Sequence, residues 1–205
     1  GIPVELGWTE HPEVHGTTIN ASRATVGIKA ITSRRNLLMF SLRRPPSWQP
    51  VGFLADVAAC FATRGLSMDL LSSSCSEIRC TLDLSAFPSV EAELPEILGE
   101  LEKTCEVRLI RPVASVSLVG KNVNRALFGE DQDFGLSEEA LLMVVHAANE
   151  NHVSVVLVEE AAEMLVARAH QRLIEEAEGS HELGATWNEL LARKTNDKGE
   201  AEWAM

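Results

Sequence analysis

The chain has 205 residues, 45% of them hydrophobic and 23% charged, which is enough for one domain or two small ones. Its net charge is −12, it has no tyrosine, and aromatic residues make up 5%. Such a field repels phosphate backbones and anionic bilayers, and few rings are present to stack on bases, so neither nucleic acid nor membrane is an expected partner.

No apolar run approaches the ~18 residues of a membrane span. No basic-then-apolar leader is read, and a cytoplasmic location is expected. The chain starts on Gly1 with a strand-like "IPVEL" directly behind it, as a piece of a longer protein would. Cys60, Cys75, Cys80 and Cys105 form no CxxC pair. Cys60 and Cys80 fall on apolar faces, where small buried thiols of a reducing compartment are expected.

Residues 1–19 read as a connecting segment broken by Pro3, Pro12 and Gly16. "ATVGIKAI" (24–31) can form a short strand, and "NLLMFSL" (36–42) has the composition of a buried one. The prolines of "RRPPSWQP" (43–50) force a loop. A helix follows, with Leu54, Val57, Ala58, Phe61 and Ala62 as its apolar stripe and Gly65 as a left-handed cap. A strand is expected over 66–72, with Leu66, Met68 and Leu70 on one face and Ser67, Asp69 and Leu71 on the other. In the next strand, 77–84, Ile78, Cys80, Leu82 and Leu84 point inward and Arg79, Thr81 and Asp83 outward.

A second helix is expected to become regular near Pro95 and to run to about Cys105, its stripe Ile97, Leu98 and Leu101. "CEVRLI" (105–110) supplies a fourth strand. The order strand, helix, strand, strand, helix, strand is the split βαβ pattern of a ferredoxin-like unit, a sheet with two helices on one face. A weaker copy follows. "VASVSLVG" (113–120) is a strand, residues 121–139 hold at most a short helix, and "ALLMVVHAA" and "HVSVVLV" are two strands joined by "NEN". A helix over 159–176 carries Ala162, Leu165, Val166, Ala169 and Leu173 on one stripe. This copy lacks its last strand, which "ATVGIKAI" can supply from upstream. The first unit is then inserted in the second. The fold class is α+β, two ferredoxin-like βαββαβ units, the second degenerate. The segments are 1–23 as junction, 24–35 as the strand lent to the second unit, 36–112, 113–176, and a tail 177–205.

No catalytic constellation is read. His11 and His15 are separated by Pro12, His146 and His152 flank a turn, and His170 and His181 have no partner at metal-ligand spacing. GxGxxG and GxxxxGK[ST] are both missing. No metal, cofactor or catalytic residue is therefore assigned to this chain. The stretch "GFLADVAACFATRGLSMDLLSSSCSE" (52–77) holds the remaining candidates. In a split βαβ unit the helix start at Gly52, Phe53 and Leu54 lies beside the second strand. Its free N–H groups suit a carboxylate, and Asp69 suits an ammonium, with the hydroxyls of Ser73 and Ser74 nearby. Together they fit an amino-acid zwitterion. The plainer alternatives are an edge-strand charge for Asp69 and a simple turn for the serines.

At these residues the chain resembles the regulatory region of aspartate kinases, a pair of ACT domains, and most of all the lysine-sensitive homodimeric type. The motifs are "ITSRRNLLMFSL", "GFLADVAACFATRGLSMDLLSSS" and "TLD", then "VASVSLVGKNV" and "NHVSVVLV…AEMLVARAHQRL", with "IPVELGWTEHPEVHGTTI" similar to the junction behind the kinase domain. The resemblance implies ACT units, one placed inside the other. It also implies an upstream kinase domain that phosphorylates L-aspartate with ATP and Mg. It further implies feedback inhibition by an amino acid, lysine first, bound where ACT units of two chains meet. Carried over by position, the effector residues are Gly52, Phe53, Leu54, Ser67, Met68, Asp69, Ser73 and Ser74. The chain departs from the family at Cys75, where a carboxylate is expected, while Glu77 lies two residues on. A dimerisation module with a decayed effector site is the alternative. The tail "ELGATWNELLARK" resembles a linker to a fused diaminopimelate decarboxylase.

Overall fold

The computed structural model describes residues 2–9, 12, 16–19, 27–45, 51–129, 134–146 and 151–176. The chain divides into two compact units, Gly1–Thr25 with Glu178–Met205, and Val26–Ala177. In the first, β1 (Val4–Leu6) and β2 (Thr17–Ile19) pair antiparallel, so the connecting segment contains a small hairpin. The tail lies outside the described residues.

The second unit is built on two long strands. β3 runs from Ile28 to Arg43 and β6 from Glu106 to Gly120, and they pair antiparallel along almost their whole length. Between them in sequence come α1 (Phe53–Ala62), β4 (Leu71–Ser73), β5 (Glu77–Asp83) and α2 (Val90–Leu101). After β6 come α3 (Val123–Phe128), β7 (Leu141–His146), β8 (His152–Val158) and α4 (Glu159–His170), the last ending in a π-helical turn, Gln171–Glu175. The six-stranded sheet has the order β4-β5-β3-β6-β8-β7.

This order is two ferredoxin-like sheets sharing their central strands. Residues 37–43 of β3, with β4, β5 and the first part of β6, make one βαββαβ unit. The second part of β6, with β7 and β8, makes the other, and residues 28–34 of β3 pair with 115–120 of β6 as its last strand. The missing strand thus comes from upstream. Residues 28–31 of "ATVGIKAI" and "NLLMFSL", read separately, lie on one strand with a bulge at Arg34–Asn36, where Asn36 takes a positive φ of 59°. "CEVRLI" and "VASVSLVG" likewise merge into β6.

Each half has its own core. Leu38, Phe40 and Leu42 of β3 meet Val57, Cys60 and Phe61 of α1 and Leu94 and Ile97 of α2. Val116, Leu118, Val155 and Leu157 meet Leu127 of α3 and Ala162, Leu165 and Ala169 of α4. Period-2 alternation sends the intervening residues to the other face, where Leu37, Met39, Val113, Met143 and Val156 are at most 5% exposed. That face is closed by the sheet itself. Its outermost strands β4 and β7 come into contact, and Arg79 of β5 donates from Nη1 to the Leu142 carbonyl of β7. Thr81, expected outward, is fully buried for this reason.

Three expectations shift in detail. The buried stripe of α1 is Phe53, Val57, Cys60 and Phe61, one residue out of phase with the expected one, while Leu54 is 43% exposed. α2 starts at Val90 and keeps Pro95 inside it, ending at Leu101. It tolerates the proline because Val90, Leu94, Ile97 and Leu101 are all buried beneath it, and packing outweighs one lost backbone bond. Gly65 caps α1 as read. It takes φ +66°, with Leu66 N–H donating to Phe61 O at 3.0 Å and Gly65 N–H to Ala62 O at 3.0 Å.

Candidate functional site

Residues 66–70 do not form a regular strand; pairing begins at Leu71. Asp69 N–H donates to Thr81 O at 2.8 Å, Leu70 N–H to Thr81 Oγ1 at 3.1 Å, and Thr81 N–H to Leu70 O at 2.9 Å. Two residues therefore oppose one, as in a bulge, and the alternation changes phase. Leu66 and Met68 pack with the α1 core, whereas Leu70 packs on the opposite face beside Leu37 and Met39.

The Asp69 carboxylate faces Arg34 of β3, whose Nη1 donates to both carboxylate oxygens at 2.7 Å. Nη2 of the same guanidinium reaches Asp83 at 3.5 Å. The side chains of Arg34 and Asp69 are 52% and 23% exposed. The neighbouring Arg35 points to the other half, with Nη2 2.6 Å from Glu163 Oε1 of α4, and Asn36 N–H donates to Glu159 Oε2 at 3.1 Å. The β3 bulge thus ties one half through Asp69 and the other through α4.

The other candidates are arranged as follows. Gly52 caps α1 with φ +90°, and no side chain caps the helix. Asp56 stands in its first turn and gives that end a carboxylate of the chain's own. Phe53 is only 8% exposed and shares a core with Met68, so these two enclose the site from within rather than face it. Leu54 and Ser67 are exposed. Ser73 lies on the outer strand β4, opposite Ile78. The Ser74 hydroxyl is occupied in the β4–β5 turn, accepting from Glu77 N–H at 3.0 Å and donating to Glu77 O at 3.2 Å. Cys75 is exposed in the same turn, and its carbonyl accepts from Arg44 Nη2 at 2.9 Å.

Sequence reading missed Arg34, Thr81 and Arg79. The "SRR" triplet shows only its charge locally, since Arg34 and Arg35 turn to partners 35 and 128 positions away. The other cysteines are buried, and burial raises the thiols of Cys60 and Cys105 and pushes Cys80 up to about 12. No group of three or more His, Cys, Asp or Glu suited to a metal occurs among the described residues.

Glu77 lies beneath this turn. Its carboxyl is held below the ordinary value of 4.5 by the hydrogen bond from Arg79 Nε at 2.8 Å, against burial and with help from the Ser41 hydroxyl at 3.0 Å. A depressed folded-state pKa contributes stability that is present above 4.5 and is lost as pH falls through the folded value. Glu77→Gln is therefore expected to flatten the fall of melting temperature below that pH and leave the neutral-pH slope alone. Parallel acid melts of both proteins that superimpose in slope would contradict this.

No family model matches the chain. It is 30% identical over 182 residues to aspartokinase 3, chloroplastic, of Arabidopsis thaliana, an alignment that takes in 85% of this chain and 32% of that protein. Its fold overlays 39% of E. coli aspartokinase III, solved with lysine and aspartate, at TM-score 0.64, 27% identity and 84% coverage of this chain. The regulatory subunit of aspartate kinase from Thermus flavus is covered over 98% of its length, with 71% of this chain, at TM-score 0.54 and 22% identity. The chain belongs with the aspartokinase regulatory regions. It spans about a third of the length of the curated aspartokinases it matches. Its two shared-strand halves are the two ACT units of such a region, the first inserted in the second.

Proposed function

We propose that this aspartokinase regulatory region senses an amino acid, L-lysine first, where ACT units of two chains meet. Binding then restrains an aspartate-phosphorylating, ATP- and Mg-dependent kinase domain in the parent protein. The carrying observation is Asp69: a carboxylate on a bulged edge segment, its side chain 23% exposed and paired with the half-exposed Arg34. An effector ammonium competes with that guanidinium, and freeing Arg34 loosens the contact that links the two halves at the β3 bulge. Exposed Val51 and Leu54 at the start of α1, and Leu71 on edge strand β4, suit a surface covered by a second chain. The effector acts only through unequal affinity for two states, with a coupling of ~1–3 kcal/mol typical of such linkage.

The second reading, a dimerisation module whose sensor has decayed, is favoured by the occupied hydroxyl of Ser74 and by Cys75. Melting curves with lysine, threonine or methionine separate the two. At 100-fold excess over Kd, a true effector adds ~2.7 kcal/mol of stability. Asp69→Ala is expected to retain the fold, because an exposed pair contributes ~0–1 kcal/mol, and to lose the ligand shift. No shift with any of the three, with the dimer intact in sedimentation, leaves the dimerisation reading.

A further inference from the structure

We infer that the first ACT unit carries a second ligand site, separate from the α1–Asp69 region: a seat for a small anion with carboxylate or phosphate groups. The register of β5, β3 and β6 sets Arg79, Ser41 and Arg108 in one cross-strand row and Glu77, Arg43 and Glu106 in the next. All six lie on the face away from α1 and α2, because Ile78, Cys80, Phe40 and Leu42 take the helix side. They line a cleft of about 400 Å³. A second cleft of about 420 Å³ shares Glu77 and Arg79 with it and continues along β4 and β7.

The charge in this cleft runs against the rest of the chain. Acidic residues outnumber basic ones 30 to 18 overall, yet three guanidiniums meet two carboxylates here. Glu77 is already engaged, accepting from Arg79 and from Ser41. The side chains of Arg43 and Arg108 make no hydrogen bond or ion pair among the described residues, Arg43 acting on Glu77 only through its charge, and both are exposed. Strands stand ~4.8 Å apart, so Arg79 and Arg108 straddle the Ser41 hydroxyl at about twice that spacing. That gap of about 10 Å leaves room for a small anion between the two guanidiniums. The guanidinium fork matches carboxylate and phosphate oxygens in pairs, and exposed Arg43 and Arg108 are the forks left to do so, since Arg79 is engaged by Glu77 and by the Leu142 carbonyl.

The test is calorimetric titration of the intact chain at low ionic strength with inorganic phosphate and, separately, with succinate. Saturable binding of at least one probe is expected, weakened at least tenfold in Arg108→Gln and in Arg43→Gln and retained in Asp69→Ala. Phosphate alone binding assigns a phosphate ligand, and succinate alone a carboxylate one. Saturation by neither probe, or equal affinity in both arginine variants, overturns the site. Loss of binding in Asp69→Ala also overturns it, since the anion would then belong to the effector region. The amino-acid melting shift of the proposed function is read independently, so either reading can fail without the other.

Discussion

Phe61→Ala is expected to lower the unfolding free energy by about 3–5 kcal/mol, the cost of emptying a buried aromatic position. Phe61 is 1% exposed on the last turn of α1. Its ring meets that of Phe40 edge to face, with centroids 5.2 Å apart and planes at 70°. Phe40 lies on β3, so the pair fastens α1 to the strand that both ACT units share. The edge-to-face geometry contributes ~0.5–1.5 kcal/mol beyond the buried area. Urea unfolding at constant m measures the loss, and the Phe40→Leu, Phe61→Ala cycle isolates the pair. A loss under ~1 kcal/mol, the size of an ordinary surface change, would show that the first core closes without this ring.

Gly120→Ala is expected to destabilise the second unit by about 1–3 kcal/mol, at the upper end for an overpacked site. A Cβ at Gly120 would stand 2.5 Å from Gly27 O and 2.6 Å from Ile28 Cα. Both are backbone atoms, so no rotamer change relieves the clash. The position closes β6 against the first residue of β3, where Lys121 N–H donates to Gly27 O and Gly120 N–H to Asn151 O, each at 3.0 Å. Amide exchange at Lys121 should quicken while residues 37–43 keep their protection. Unchanged exchange and melting together would contradict the close approach.

Much of this architecture was legible because each element carries a period. Leu38, Phe40 and Leu42 of "NLLMFSL", the alternation of Ile78, Cys80 and Leu82, and the Ala162, Leu165 and Ala169 stripe of α4 all face the helix-side cores as their spacing requires. The absent last strand of the second unit was itself a readable signal. Bulges were not legible: at Asn36 and at Asp69–Leu70 one extra residue reverses the alternation, and nothing local in composition announces it. The burial of Thr81 was hidden for another reason. It depends on β4 and β7, far apart in sequence and at opposite ends of the strand order, coming together. Of the candidate site, the choice of Asp69 came from its odd chemistry in an apolar segment. Its partner Arg34, 35 positions away, depends on the shared strand and could not be read from local pattern.

The loan of residues 28–34 to the second unit also sets a timetable for synthesis. Those residues leave the ribosome before any of the first unit, yet their partners, 115–120 of β6, emerge some eighty residues later. The first unit closes over contacts between 37 and 113 in the meantime and holds β3 in place by its second half. The early half therefore waits as an unpaired edge, anchored at one end, and a pause in elongation between α2 and β6 prolongs its exposure. Slowing translation there should raise aggregation of nascent chains, whereas the same delay after Val158, once β8 is made, should not.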